Sequence, residues 1–435
     1  MKGKIQNRRY FLINSLRGIL LFFPLKPFFS FPKSEASSQI STNSINDISL
    51  KNEFDWQAIK KQFTLDKKIH HFNIASIGSS PLVVQEKIIS TIKKVNKFGK
   101  EKHEIVNETR NKLAKLVNAN STQLAITRNT TEGLNIVARS LKLKRGDQVI
   151  ITSEEHVGGT TPWLTLQNEI GIRVVVVDIL GKESNATKLI QSAITKRTKV
   201  VSVSHLTYTT GTILPIKEII NLCRKKRIYS VIDGAQALGH IKVDLGELQP
   251  DFYTASCCKW LYGPNGTGML YLNKSFLHNF PPLFAGAYTD RQYDAKKGNY
   301  EYKTHASRYE YGTVNAPIIA GLGAAIDFVD FIGVHKISLR GKALALRFRK
   351  GIYFNKNIKI ITTNNYKYSA SIVTFKILHK DNAIIKRQLF SKNSFIIRLI
   401  FENNINALRA SFCIYNDEIE VDQLIKEINL IANNF

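Results

Sequence analysis

With 435 residues, 43% of them hydrophobic, the chain is long enough for two or three packed units and too apolar for intrinsic disorder. The net charge of +28 comes from 62 Lys and Arg against 34 Asp and Glu. Those cations are spread along the chain without a long basic block or a nucleic-acid motif, so they read as compositional bias and no nucleic-acid partner is expected.

In chain order, residues 7–25 read NRRYFLINSLRGILLFFPL. The paired arginines followed by Phe11 and Leu12 resemble the bacterial twin-arginine export signal, which carries folded proteins to the periplasm. The other reading is a basic tail on a cytoplasmic protein. The apolar run at 18–25 is too short to cross a bilayer, so no stable membrane span is expected. Residues 1–36 are therefore assigned to the signal segment and the Ser/Asn-rich residues 37–53 to a linker. A large domain with an N-terminal arm is expected over 54–325 and a smaller α+β domain over 326–435.

From about residue 122 strand and helix patterns alternate. QLAITR (123–128) and DQVIITS (147–153) read as strands, with a helix over 131–141 between them and another over 162–169. RVVVVDIL (173–180) is a continuous apolar run, as a parallel strand covered on both faces requires. TKVVSVSHL (198–206) and YSVIDGA (229–235) are strands. The helix between them, 215–227, opens on Pro215 and closes with cations. DFYTASCCK and GTGMLYL complete the series. The alternation predicts an α/β fold with a large, doubly wound, mostly parallel sheet, in which ligands sit beyond the carboxyl ends of the strands. Further on, residues 321–352 read as helical, SFIIRLIF (394–401) as a strand and 417–433 as a final amphipathic helix. The four cysteines are Cys223, Cys257, Cys258 and Cys413. None has the CxxC spacing of a zinc or redox site, and no metal site is expected. Cys257 and Cys258, adjacent on a strand, should point to opposite faces.

Thr130, Thr131, His156, His205, Asp233 and Lys259 all directly follow apolar strands. A lysine amine that condenses with an aldehyde needs a bound carbonyl, and pyridoxal 5′-phosphate is the commonest. That cofactor asks for a carboxylate at its ring nitrogen, hydroxyls and N–H groups at a helix start for its phosphate, a flat partner for its ring, and a guanidinium for the substrate carboxylate. Asp233, Thr130 with Thr131, His156 and Arg409 supply one candidate for each. Singly they read as helix caps, a loop histidine and a surface arginine; their order and placement together point to the cofactor.

TRNTTEGLN (127–135), EEHVGGTTPW (154–163), SHLTYTTGTILPIKEI (204–219), VIDGAQALGHIKVDL (231–245), SCCKWLYGPNGTGMLY (256–271), RYEYGTVN (308–315) and LRASFCIYNDEIEVDQL (408–424) resemble, in order, the class V pyridoxal-phosphate-dependent aminotransferases. That family includes cysteine desulfurases and isopenicillin N epimerase-like enzymes. The resemblance covers roughly residues 70–435. It implies fold type I, pyridoxal 5′-phosphate as cofactor and an amino-acid substrate. It also implies roles: Lys259 as the Schiff-base and proton-transferring lysine, Asp233 at the pyridinium, Gln236 and Tyr208 at the ring oxygen, and His156 stacked on the ring. Thr130, Thr131 and Ser256 would hold the phosphate and Arg409 the substrate carboxylate. Thr313 would reach the phosphate of a partner subunit, which implies a homodimer with shared active sites.

Three departures matter. Tyr208 stands where the family often has Asn, and its phenol can still donate to the cofactor oxygen. Cys258 stands where the family usually has His, and residues 360–408 hold no cysteine where a desulfurase carries its nucleophile. Persulfide-forming desulfurase chemistry is therefore not expected. The expected activity is at the Cα of an amino acid, of aminotransferase or epimerase type. The alternatives are a carbon–sulfur β-lyase, which needs no cysteine nucleophile, and a degenerate cofactor-binding protein.

Overall fold

A computed structural model describes residues 55–99, 103–278, 280–402 and 405–434. The export-signal and linker assignments, on 1–36 and 37–53, lie outside the described residues.

The strands in chain order are β1 (His70–His71), β2 (Leu124–Thr127), β3 (Gln148–Thr152), β4 (Arg173–Val177), β5 (Thr198–Ser204), β6 (Tyr229–Asp233), β7 (Phe252–Ser256) and β8 (Gly268–Leu272), then β9 (Asp290–Asp294), β10 (Asn299–Tyr302), β11 (Ile358–Ile360), β12 (Ile372–Ile377), β13 (Phe395–Ile396), β14 (Arg398–Ile400) and β15 (Ala407–Ser411). Among the described residues the main sheet has seven strands in the order β2-β8-β7-β6-β5-β3-β4. Only β8 runs antiparallel to its neighbours, so the sheet is mostly parallel and wound in two directions, the α/β class expected. After β4 the chain crosses over β3 to form β5. The carboxyl ends of β3 and β5 therefore flank the switch point where such sheets open a crevice.

β3, β7 and β8 are buried along their whole length, and Leu134, Val137, Trp163 and Leu166 of the covering helices pack with Val149, Ile151, Val200, Val231 and Phe252 in one core. RVVVV does not follow this logic. It forms β4, the edge of the sheet, where Arg173 and Val176 are exposed. The run of four valines suits a pleated backbone equally well with one flank open to water.

The helix expected over 162–169 starts earlier, at Val157, and runs to Ile170 with Pro162 inside it. His156 caps it, its Nδ1 accepting from the Gly158 N–H at 3.0 Å. The helical stretch read as 321–352 is two helices, Ala316–Ile332 and Val334–Tyr353, bent by 75°. Gly333, at φ +88°, makes the break in a conformation a side chain would strain. Residues 325 and 326 lie within the first of these helices. No single helix among the described residues is long and apolar enough to cross a membrane.

SFIIRLIF divides between two sheets. β13 pairs in parallel with β1, whereas β14 joins the antiparallel sheet β11-β12-β15-β14. Phe348, Phe375, Phe412, Leu424 and Ile428 form the core of this smaller sheet. Cys257 and Cys258 are not on a strand, since β7 ends at Ser256. Cys257 is fully buried and Cys258 is partly exposed in the bend that follows. The segment after β1 joins the two sheets: the Ser411 N–H bonds to Phe72 O at 2.9 Å, and the Gly78 N–H to Cys258 O at 2.9 Å.

Candidate active site

The carboxyl ends of the central strands open into one cleft with about 720 Å³ of empty space, open to solvent. It is lined by Thr130, Thr131, His156, Tyr208, Asp233, Gln236, Ser256 and Lys259, together with Ser76, Ser204 and Arg398. Parallel strands that all end on one side place these distant positions together. Three of the residues singled out from sequence lie elsewhere. His205 is buried, its Nδ1 2.9 Å from the Tyr253 hydroxyl. Thr313 lines a separate recess with Arg128, Glu132 and Tyr311. Arg409 is fully buried behind the cleft wall.

Lys259 follows β7 in the bend after Ser256 and is partly exposed to the cleft. Burial pulls its ammonium below the usual lysine range; Asp233 opposes this, and the charges of Arg409 and Arg398 add to it. The amine is thereby shifted toward its nucleophilic, proton-accepting form. Asp233 ends β6, and its Oδ1 accepts from the Ala235 N–H at 2.8 Å. Burial raises its carboxyl, the Ala235 N–H and Lys259 work against that rise, and a buried cation beside it would hold it ionised.

The helix Thr130–Ser140 is capped by Asn129, whose side chain accepts from the Glu132 N–H at 2.9 Å. Thr130 and Thr131 are thus its first two residues rather than its cap. Thr130 Oγ1 lies 2.7 Å from Ser256 Oγ, and the Thr130 N–H meets the same oxygen at 3.3 Å. Hydroxyls clustered on a helix N-terminus are an anion cradle. Gly158 closes one side of it: a Cβ there would fall 2.5 Å from Thr131 Oγ1.

The Gly158 N–H bond requires His156 Nδ1 to be unprotonated, which leaves the proton on Nε2. Burial first, then Lys259 and Arg398, pushes this imidazole down to about 4, so the ring is neutral at physiological pH. Tyr208 meets it edge-on, with centroids 4.9 Å apart. Among the described residues the buried Tyr208 hydroxyl makes no hydrogen bond of good geometry, although the Glu402 carboxylate is its near neighbour. Gln236 is held at both ends, donating to Ala75 O at 2.8 Å and accepting from Trp260 Nε1 at 2.7 Å. One Nε2 hydrogen remains for a ligand.

Arg409 donates from Nη1 to Tyr208 O at 2.8 Å and from Nη2 to Asn73 Oδ1 at 3.0 Å and Ser76 Oγ at 2.8 Å. Its Nε is buried without a partner among the described residues. The guanidinium that faces the cleft is Arg398, directly opposite Arg409 across β14 and β15. Sequence reasoning passed over Arg398; the available signal was a lone arginine inside the apolar run SFIIRLIF.

Glu155 was also missed. It is buried behind the cleft, 2.5 Å from both Thr152 Oγ1 and Ser204 Oγ, and accepts from the Ser204 N–H at 3.1 Å. Burial pushes its carboxyl up to about 7, against those hydrogen bonds and with help from the Asp233 charge. A folded pKa above the unfolded value of 4.5 gives a stabilisation complete below pH 4.5 and lost as pH rises through 7. Glu155→Gln keeps the hydrogen bonds without the ionisation. Relative to the parent chain it should gain roughly 3 kcal/mol of stability between pH 4.5 and 7.5, at about 1.4 kcal/mol per pKa unit, in urea unfolding measured across that range. A constant difference would place the ionisation elsewhere.

The donor set fits pyridoxal 5′-phosphate: a cradle of hydroxyls on a helix start, a buried carboxylate, an amine whose ammonium is disfavoured, a neutral imidazole and a Tyr208 hydroxyl lacking a well-formed bond among the described residues.

The aminotransferase class-V family model matches residues 85–424. A probable cysteine desulfurase of Methanothermobacter thermautotrophicus is 27% identical over 395 residues, covering 86% of this chain and 97% of that protein. A cysteine desulfurase of Salmonella newport is 30% identical over 341 residues, covering 75% and 82%. Among solved structures, apo cysteine desulfurase from Thermococcus onnurineus superposes with a TM-score of 0.79 at 25% identity, covering 87% of this chain and 98% of that one. The cystine C–S lyase C-DES, solved with its reaction product cysteine persulfide, superposes with a TM-score of 0.77 at 24% identity, covering 82% and 97%. The fold is thus that of the fold type I enzymes, and this chain belongs to the class V aminotransferase family, whose cofactor is pyridoxal 5′-phosphate.

Proposed function

We propose that the chain is a carbon–sulfur β-lyase that cleaves the Cβ–S bond of a sulfur-containing amino acid. The observation that carries this reading is the Lys259 amine sharing one cleft with Asp233, its ammonium disfavoured there. The relatives narrow the reaction type. Their names are cysteine desulfurase and cystine C–S lyase, both of which part carbon from sulfur. They support the lyase alternative above the aminotransferase and epimerase readings.

The residues divide the work as follows. Thr130, Thr131 and Ser256 would hold the phosphate, Asp233 would pair with the ring nitrogen and keep it protonated, and His156, as a neutral imidazole, would stack on the ring. Tyr208 and the remaining Gln236 hydrogen would serve the ring oxygen. Arg409, held rigid by Tyr208 O, Asn73 and Ser76, supplies positive charge for the substrate α-carboxylate. When bound, the cofactor supplies an electron-withdrawing ring that stabilises negative charge at the substrate Cα. Lys259 takes the Cα proton as general base. The electron pair of that C–H bond becomes the Cα–Cβ π bond as the Cβ–S pair departs with sulfur, so a thiolate or perthiolate leaves. Water then converts the eliminated product to pyruvate and ammonium. No oxidant is needed. None of Cys223, Cys257, Cys258 or Cys413 lines the cleft, so sulfur leaves in the product rather than on an enzyme cysteine. In this reading the protein works as a homodimer, with Thr313 offered to the partner's phosphate site.

Holoenzyme incubated with L-cystine is expected to release pyruvate, ammonium and cyanolysable persulfide in equal amounts, and a variant with all four cysteines replaced by alanine is expected to do the same. Transfer of the amino group to an added 2-oxo acid without pyruvate would restore the aminotransferase reading. Loss of persulfide in the cysteine-free variant would restore a desulfurase mechanism.

A further inference from the structure

The turn after β3 carries two buried carboxyls, and they grip different parts of the molecule. Glu155 holds Ser204 at the end of β5. Glu154, two residues before His156, reaches past it to the turn at residues 207–212. Its Oε1 accepts from Thr209 Oγ1 and its Oε2 from Thr210 Oγ1, both at 3.0 Å. Thr210 Oγ1 also lies 2.9 Å from Thr207 Oγ1 and 2.8 Å from Thr212 Oγ1. These side chains are all buried. Burial pushes the Glu154 carboxyl up to about 7, against the threonine hydrogen bonds and with a further push from the Glu183 charge. A buried carboxyl is unfavourable unless its hydrogen bonds are made, so the network favours one arrangement of its members.

The other side of the turn is fixed to the smaller sheet. Thr362 Oγ1 donates to Thr210 O at 2.7 Å, Thr374 Oγ1 donates to Thr209 O, and the Ala370 N–H meets Gly211 O at 3.1 Å. Gly211, at φ +74°, lies so close to β12 that a Cβ there would fall 2.6 Å from Ile372 Cβ. The turn is clamped between the two sheets, with Glu154 gripping it from the side of the main sheet. Tyr208 is carried on this turn, next to Thr209. Its side chain lines the cleft, edge-on to His156 with centroids 4.9 Å apart, and its carbonyl accepts from Arg409 Nη1 at 2.8 Å. A shift of the turn would move the phenol and draw the guanidinium with it.

We propose that Glu154 is a positioning residue of the active site: through Thr209 and Thr210 it fixes the Tyr208 phenol against His156 and the Arg409 guanidinium behind the cleft. This rests on the roles given above to Tyr208 and Arg409, and not on which bond the enzyme breaks.

Two neutral substitutions separate position from charge. Glu154→Gln keeps an acceptor for Thr209 and offers a donor to Thr210 Oγ1, whereas Glu154→Leu fills similar space and keeps neither. Each holoenzyme is read in two ways. The first is affinity, from the change in the cofactor's visible absorption, for S-methylthio-L-cysteine against S-methylthio-cysteamine, which lacks only the α-carboxylate. The Gln variant is expected to keep the parent's preference for the amino acid, roughly 10- to 100-fold for a charge-assisted contact, and the Leu variant to lose most of it. General loosening would weaken both ligands together and leave their ratio alone. The second readout is the pH midpoint of the cofactor's visible absorption. A donor at the ring oxygen favours the form that has given up its proton, so the midpoint should rise by roughly half a unit or more in the Leu variant relative to the Gln variant, the worth of one hydrogen bond. Should Glu154→Leu fail to fold, Thr209→Val deletes the hydroxyl at Glu154 Oε1 and should move both readouts from the parent values in the same directions. Leu and Gln variants alike in either readout overturn the proposal, as does Thr209→Val at parent values. A parent without the preference for the amino acid overturns it too, because Arg409 then has no carboxylate to meet. If the parent shows that preference but releases no pyruvate from S-methylthio-L-cysteine, the lyase reading fails, and the same two comparisons still decide the role of Glu154.

Discussion

Lys259→Ala is expected to lose essentially all turnover while retaining the fold. Proton transfer by a positioned base is itself worth roughly 10²–10⁴-fold, and this substitution also removes the amine that anchors the cofactor. The environment explains why no neighbour substitutes for it. The ammonium of Lys259 is disfavoured, and the nearby cations Arg398 and Arg409 carry guanidinium groups, not an amine that could condense with an aldehyde. Borohydride reduction of the parent holoenzyme followed by peptide mapping should place the pyridoxyl mass on residue 259. The alanine variant should bind the cofactor only reversibly. Recovery of the label on another side chain, or turnover by the variant near the parent rate, would end this account.

Asp233→Asn is the second large effect. The substitution preserves shape and can still accept the Ala235 N–H, so the end of β6 should be undisturbed. It removes the negative charge that a protonated ring nitrogen requires. The site has no ready replacement: Glu155 is bound to Thr152 and Ser204, and its carboxyl is pushed up to about 7 by burial. Loss of one preorganised electrostatic partner in a buried site costs on the order of 10²–10³-fold in kcat, and that is the expected fall. The cofactor should still bind, since the phosphate cradle at Thr130, Thr131 and Ser256 is separate, and KM should change far less than kcat. A variant that keeps the parent kcat would show that the ring works without its proton.

Much of the site was legible because its residues obey a local rule. Asp233 follows an apolar strand, Lys259 lies just beyond another, and Thr130 with Thr131 opens an amphipathic helix. In a mostly parallel sheet, residues at strand carboxyl ends necessarily meet on one side. Thr313 follows no such rule, and one chain alone does not bring it to the cleft. Arg409 was found through its motif, but nothing local reveals that Tyr208 O, Asn73 and Ser76 already hold it. Arg398 looked like part of one strand because hydropathy does not say where a run changes sheets. RVVVV misled for a related reason: apolar alternation cannot tell a central strand from an edge, since position in a sheet depends on partners far away in sequence.

The amino-acid sequence by itself determined the α/β alternation, the doubly wound sheet and the chemistry of the cofactor site, because those depend on periodicity, strand ends and residue type within short windows. Only the tertiary structure decided which guanidinium faces the cleft and which carboxyl is buried behind it. Those facts depend on the pairing of β14 with β15 and on the segment after β1 that joins the two sheets. Long-range register is set by packing, which no local stretch of sequence encodes.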